Sequence, residues 1–336
     1  MIRDWLTIRT VRFAWGPPGQ RRSMPARGVL FAAAALACLA PVAPASGGAA
    51  PASATTTPTA AAKATATAPT GSSASHDAKA PPAPDPADPK TPETEGARKA
   101  VWPRSVQEME KIAKADPIEF LRMSLKWTDE NVTEYSGQFQ KIENIDGTLR
   151  KPETMQIKFR ADTFSVYLKW IQEPSKGQEA IYVEGTNDGK AWVHPSGLLG
   201  VLFRKVSIDP LSKTALKHSR RPVTMAGMAN MLRIIIPQCE AAQASGDLKL
   251  TYEGLRDEGG RQAYVFKRVL PKKGDYPCNV CLIYIDQQYL VCVRTDAFDW
   301  SGELISHYSY FDLLINPGLT DTDFDPANGD YGFRLW

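Results

Sequence analysis

The sequence predicts an α+β domain built on an antiparallel sheet. Short runs alternate apolar and polar residues, the turns between them are rich in Gly and Asp, and few segments carry helical spacing. Met155-Gln156-Ile157-Lys158-Phe159-Arg160 alternates throughout, the signature of a strand with one buried face. Phe164, Val166, Leu168 and Trp170 repeat the pattern. Residues 179–183 and 190–194 flank Gly185-Thr186-Asn187-Asp188-Gly189. Asp-Gly between two such runs marks a hairpin, because glycine takes positive φ without strain. Further runs follow at 248–252, 262–269, 281–285, 290–298 and 304–313, separated by turns such as Asp257-Glu258-Gly259-Gly260 and Ser301-Gly302. Such short spacing makes a meander rather than a βαβ array.

Helices are few. Asp116 is a helix cap and Pro117 fits the first helical position, where no amide donor is needed. Ile118, Leu121 and Leu125 follow at helical spacing, with Trp127 near the end. A second helix is capped by Thr224, with Met225, Met228, Leu232, Ile235 and Ile236 on one face and Pro237 as its stop. A third candidate, 198–203, is apolar but contains Gly200.

The N-terminus reads as a secretory signal. Residues 28–39 are apolar and Ala-rich, Arg21, Arg22 and Arg27 precede them, and Ala43-Pro44-Ala45 supplies a cleavage site, giving a signal over 1–45. A membrane-spanning helix needs about 20 apolar residues, so the run is too short to span. Met24 opens a signal of ordinary length and is the expected start. Cys38 follows Ala35-Leu36-Ala37, a poor lipobox, so a cysteine inside a cleaved signal is preferred to a lipid anchor. Residues 46–100 are rich in Ala, Thr, Pro and Ser. Such a stretch buries too little apolar surface to offset its ordering entropy and reads as a disordered linker. Residues 101–336 then form one domain.

Charge excludes one class of partner. The whole chain carries +3, but residues 101–336 hold 29 basic against 31 acidic residues. A domain at −2 has no footprint for nucleic acid.

Chemistry-bearing motifs are sparse. His76, His194, His218 and His307 are scattered, and no H-E-x-x-H, G-x-S-x-G or phosphate loop occurs, so an enzyme ranks last and no cofactor is expected. His194 ends a strand and suits a local turn better than a general base. Asp286, Asp296 and Asp299 stand near strand ends as turn residues. Asp321, Asp323 and Asp325 alternate, but a calcium loop starting at Asp321 needs Gly and Glu where Pro326 and Gly332 stand. Asx turns are the better reading. Cys278-Asn279-Val280-Cys281 has C-x-x-C spacing but precedes a strand rather than a helix, unlike a redox site. Zinc needs four ligands, and Cys239 and Cys292 stand at no standard spacing. Structural disulfides among Cys239, Cys278, Cys281 and Cys292 suit an exported chain, and Cys281 with Cys292 flank one hairpin as a cross-strand pair.

The terminal stretch Asn316-Pro317-Gly318-Leu319-Thr320-Asp321-Thr322-Asp323-Phe324-Asp325-Pro326-Ala327-Asn328-Gly329-Asp330-Tyr331-Gly332-Phe333 follows the last strand. Together with Trp170, the Asn187-Asp188-Gly189-Lys190-Ala191-Trp192-Val193-His194-Pro195 hairpin and the run of strands, it resembles an uncharacterised bacterial exported domain family. That family is distantly similar to the LolA/LppX-like lipoprotein-carrier superfamily. The resemblance covers residues 116–333. It implies a strongly curved antiparallel sheet, an incomplete barrel, whose concave side is covered by helices and forms an apolar cavity for acyl chains. Phe159, Trp170, Tyr182, Trp192, Met228, Leu232 and Phe266 are then candidate lining residues, although for any one of them an ordinary core position is the stronger reading. Methionines suit a cavity because their shape adapts. Arg220-Arg221 meets either an anionic head group or solvent. Three hypotheses follow: a periplasmic carrier of lipid or acylated protein, an envelope sensing or protein-interaction module, and, last, an enzyme.

Overall fold

The computed structural model describes residues 94–173 and 175–333. The signal, Met24, Cys38, the site near Ala45 and most of the Ala/Thr/Pro-rich stretch lie outside them. Folded structure is already present at 94–100, inside the stretch read as linker. Thr94 caps α1 (Glu95–Lys99) by accepting from Ala97 N, and Ala97 and Ala100 are buried.

Two longer helices follow. Helix α2 (Val106–Ala115) opens with a Ser105/Glu108 capping box, in which each side chain satisfies the other's backbone amide. Helix α3 (Pro117–Asn131) starts where the sequence places it, with the Asp116 carboxylate accepting from Glu119 N. The chain then forms β1 (Glu134–Ile145), β2 (Thr148–Leu149), β3 (Glu153–Arg160), β4 (Ser165–Trp170), β5 (Glu179–Val183) and β6 (Ala191–His194). Helix α4 (Gly197–Leu202), β7 (Val206–Ile208), α5 (Lys213–Leu216) and α6 (Met228–Ala244) come next. Strands β8 (Lys249–Glu258), β9 (Arg261–Val269), β10 (Val280–Asp286), β11 (Cys292–Phe298) and β12 (Leu304–Ile315) complete the sheet.

All twelve strands join one sheet in the order β7-β6-β5-β4-β3-β1-β12-β11-β10-β9-β8, with β2 paired to β1 beside that path. The recorded pairings are all antiparallel. The α+β meander expected from the sequence is therefore present twice, as β3–β7 and as β8–β12. Strand β1 stitches the two together by pairing with β3 on one side and β12 on the other. The β5–β6 turn has Asn187, Asp188 and Gly189 all at positive φ, as an Asp-Gly hairpin requires.

The second helix departs from expectation at both ends. Val223–Met225 is a 3-10 turn, and α6 begins only at Met228 behind Gly227. Its end also moves, because Pro237 sits inside the helix. Proline removes one amide donor and crowds the preceding turn. The helix continues because the next turns place Cys239 and Ala242 fully out of solvent, both at 0% exposure.

Strands β7 and β8 are opposite ends of the sheet path. The chain between them, carrying α5 and α6, must therefore cross from one edge to the other. Leu232, Ile235 and Ile236 of α6 pack with Phe120 of α3 and with Phe266 and Ile283 of the sheet. A second apolar cluster joins Tyr135, Met155, Ile157, Phe159, Val166, Leu168 and Tyr310 to Met228. A third gathers Tyr167 and Ile181 with Phe324, Tyr331 and Phe333 of the C-terminal tail. Tyr167 stands between Val166 and Leu168, so by strand alternation the tail packs on the face opposite Met228.

Candidate ligand-binding face

Alternation along β1, β3 and β12 brings aromatic rings to one face, where they form an unbroken row. Tyr182 meets Phe164 edge-on at 5.9 Å between centroids, and Phe164 meets Phe159 at 5.5 Å. Phe159 stacks on Tyr135 at 4.8 Å. Tyr135 meets Tyr310 at 5.9 Å, Tyr310 stacks on Phe139 at 4.7 Å, and Phe139 reaches Tyr308 at 6.2 Å. Each such contact contributes about 0.5–1.5 kcal/mol beyond area burial. Tyr182, Phe164 and Phe139 remain half-buried, so the row is not sealed along its length.

The row ends in charge. The register that presents Tyr135 and Phe139 next presents Lys141 and Glu143. Lys141 Nζ lies 3.2 Å from Glu143 and 3.6 Å from Glu153, and donates to the His218 carbonyl at 3.1 Å. Tyr308 donates to Glu143, and Trp170 Nε1 donates to Glu153 at 2.7 Å. A buried ammonium left unpaired would be strongly destabilising, and here two carboxylates share it. Burial, with the Glu143 charge behind it, pushes the Tyr308 phenol well above its ordinary range and keeps it a donor.

Residues 218–228 are tied onto this face mainly through their backbone. Arg220 N donates to Glu143 at 3.2 Å, and the Arg221 guanidinium sits 5.6 Å from the Tyr308 ring centre. Gly227 N donates to the Tyr310 hydroxyl at 3.2 Å and Met228 N to the Tyr135 hydroxyl at 3.3 Å. Gly227 has no side chain with which to cap α6, so the sheet supplies the cap. Gly227 is also required sterically: its φ is +119°, and a Cβ there would lie 2.9 Å from Phe159.

The seven residues expected to line a cavity fall into different surroundings. Phe159 and Met228 share the cluster under the row, and Trp170 packs against it. Tyr182 is the outer end of the row. Leu232 and Phe266 belong to the α3–α6 cluster, with Phe266 tilted on Phe120 at 4.9 Å. Trp192 packs with the tail cluster, and the Lys205 ammonium sits over its ring at 4.4 Å. Lys141, Glu143, Glu153 and Tyr308 escape sequence reasoning. Their one signal is that they occupy the alternate positions continuing the aromatic stripe.

The other candidates also have places. Cys239, Cys278, Cys281 and Cys292 are buried free thiols. Register overturns the cross-strand pair: Cys281 faces Ala297, and Cys292 faces Ile285. Across the neighbouring strand Cys281 faces Arg268, which is 1% exposed. Arg268 donates to Cys278 Sγ at 3.1 Å and to Gln238 at 2.8 Å, while its buried Nε lacks a partner. His194 Nδ1 is 3.0 Å from the Arg204 carbonyl, across α4 rather than within a local turn. His307 Nδ1 is 2.6 Å from Asp296, which Arg294 also holds at 2.9 Å. Burial opposes ionisation of Asp296, but His307 and Arg294 hold its carboxyl below the usual range. Among the described residues no serine, threonine or cysteine hydrogen-bonds to either imidazole. Asp286 and Asp299 accept backbone amides in their turns. Asp321 pairs with Arg160 at 2.7 Å, Asp323 with Lys158 at 2.7 Å, and Asp325 accepts from Ala327 N.

With this geometry in place, residues 132–333 match DUF1571, a family described as proteins of unknown function. The chain belongs to this family. No curated protein matches the DUF1571 chain. Solved structures similar to it include MucB in the MucA/MucB complex of Pseudomonas aeruginosa, at 16% identity and TM-score 0.38. That alignment covers 62% of this chain and 60% of the other, so the DUF1571 chain spans about three fifths of that neighbour. A LolA superfamily protein from Nitrosomonas europaea matches at 12% identity and TM-score 0.29, covering 61% of this chain and 97% of that one. The Mycobacterium tuberculosis lipoprotein LppX matches at 16% identity and TM-score 0.35, covering 59% and 96%. At these identities and TM-scores the likeness assigns neither ligand nor partner. Among the described residues no helix is long and apolar enough to cross a membrane.

Proposed function

We propose that this domain is a non-catalytic binding module of the periplasm or cell envelope, exported by residues 1–45. In this reading it takes a lipid, an acyl chain or an acylated protein against the aromatic row. The sheet curves into an incomplete barrel with the helices on its concave side, and Phe159, Trp170, Tyr182 and Met228 border the ligand. The observation that carries this reading is the row itself, aromatic along its length and charged at one end. It crosses β5, β4, β3, β1 and β12, four inter-strand spacings or about 19 Å, a span on the scale of a long acyl chain. Each methylene buried there contributes about 0.8 kcal/mol. Arg220 and Arg221 stand at the charged end, where an anionic head group would lie. Entry requires residues 218–228 to release a few backbone hydrogen bonds, and each typically contributes only about 0.5–1.5 kcal/mol net.

A second reading, an envelope sensing or protein-interaction module, is favoured by one observation. Met228 and Leu232 already fill the space between helix and sheet, at 1% and 0% exposure. Titration with fatty acids and lysophospholipids separates the two. The lipid reading expects a saturable change in tryptophan fluorescence, through Trp170, and a higher thermal midpoint. Phe139→Ala, at a half-buried ring next to the charged end of the row, is expected to weaken binding about tenfold, the scale of one or two kcal/mol of lost burial. Absence of saturable binding, with an unchanged midpoint, removes the lipid reading and leaves the interaction module.

A further inference from the structure

One stretch of the chain combines apolar exposure with unneutralised positive charge. Eight large apolar side chains stand exposed among the described residues: Leu149, Leu198, Val201, Leu202, Phe203, Leu211, Met225 and Leu314. Six of the eight come from the single stretch 198–225 between β6 and α6. On α4 the exposure is 76% for Leu198, 62% for Val201 and 65% for Leu202, followed by 48% for Phe203. This is the reverse of an ordinary surface helix, which turns its large side chains inward. Gly200 shows why. It is buried, and a Cβ there would stand 2.1 Å from the Pro195 carbonyl oxygen. The helix thus lies with Gly200 against the protein and Leu198, Val201 and Leu202 toward water.

The same stretch is basic. Residues 204–221 contain Arg204, Lys205, Lys213, Lys217, Arg220 and Arg221 against the single acid Asp209, within a domain whose net charge is −2. Lys205, Lys213, Lys217 and Arg220 are exposed. Ion pairs are frequent elsewhere on the surface, yet among the described residues none of these six basic side chains makes one. Exposed apolar groups and unpaired lysines and arginines on one stretch of chain match an anionic bilayer surface, where the apolar side chains enter the head-group boundary and the cations meet lipid phosphates. An acidic protein groove would satisfy the charge, but exposed leucines on a short helix suit a fluid surface that needs no shaped pocket.

We propose that residues 197–221 form a peripheral docking element for an anionic lipid membrane, with α4 as the inserted wedge. The inference does not depend on an acyl chain occupying the aromatic row. Co-sedimentation of the exported chain, residues 46–336, with vesicles tests it. Vesicles of phosphatidylcholine are compared with vesicles containing phosphatidylglycerol, at low and high salt. The wild-type chain is expected to bind the anionic vesicles and to lose binding as salt rises. Leu198→Asp with Leu202→Asp, and separately Lys213→Glu with Lys217→Glu, are expected to weaken binding about tenfold or more, the scale of losing two surface cations. Circular dichroism and the thermal midpoint of both variants stay at wild-type values, because these side chains are exposed. Equal binding by wild type and both variants overturns the proposal, as does failure to bind either vesicle. Loss of vesicle binding with retained saturation by a soluble fatty acid separates this element from the row; the opposite pattern leaves docking standing and removes the acyl-chain reading.

Discussion

At the residue scale, Cys278 is a thiol whose surroundings bring its ionisation down toward neutral pH. Its hydrogen bond with Cys281 comes first and the Arg268 guanidinium adds to it, together outweighing burial and lowering the thiol to about 6. Cys281 is pushed the opposite way by the same hydrogen bond and by its burial. The folded Cys278 thiol ionises more readily than an unfolded one. Its contribution to stability is therefore complete above the ordinary thiol range and lost as pH falls through about 6, with Cys281 offsetting part of it. Ultraviolet absorbance of the fully reduced protein is expected to show one thiolate forming near pH 6, and Arg268→Met to move that step upward. A reduced protein with no thiolate at neutral pH would contradict this account of the cluster. In an oxidising envelope we propose that at least one disulfide forms among the four cysteines. The C-x-x-C spacing was legible in the sequence, whereas Arg268 was not. It lies 10 residues from Cys278 and comes to the thiols only through the β9–β10 register.

At the element scale, α6 shows how tertiary contacts reset a helix. The sequence offers Thr224 as a cap and Pro237 as a stop, both sound by local chemistry. The chain instead passes through a 3-10 turn, and α6 takes its first amide partners from Tyr135 and Tyr310 on the sheet. Tyr135→Phe and Tyr310→Phe remove the acceptors while keeping the rings. Each is expected to cost about 1 kcal/mol in urea unfolding, the scale of losing a helix cap or a buried hydrogen bond. Unchanged unfolding midpoints in both variants would show that these hydroxyls do not hold the helix. The strands were legible wherever alternation was clean, as in β3 and β4. Strand β1 was not, because its inward positions run Tyr135, Gly137, Phe139, Lys141, Glu143 and change from aromatic to charged halfway along. Only the paired carboxylates and the neighbouring strands make Lys141 and Glu143 inward residues. The candidate site was hidden by the same break, since its polar end lies in the part of β1 that reads as surface.

At the scale of the whole molecule, β1 and β12 join two meanders into one sheet, and the chain from β7 to β8 must cross it. The meander order followed from short turns and alternating runs. The pairing of the first long strand with the last did not, because no local pattern encodes contacts between residues such as Tyr135 and Ile315, 180 positions apart. That pairing completes the aromatic row, since Tyr310 and Tyr308 come from β12 and their ring partners Tyr135 and Phe139 from β1. We propose that this row takes an acyl chain in the envelope. The most direct test is to purify the protein from its native envelope, extract it with organic solvent and analyse the extract by mass spectrometry. One or a few acyl-containing species near one per protein are expected, depleted in protein carrying Phe139→Ala. An extract free of lipid, or the same lipid mixture from wild type and variant in proportion to carried-over membrane, would contradict it.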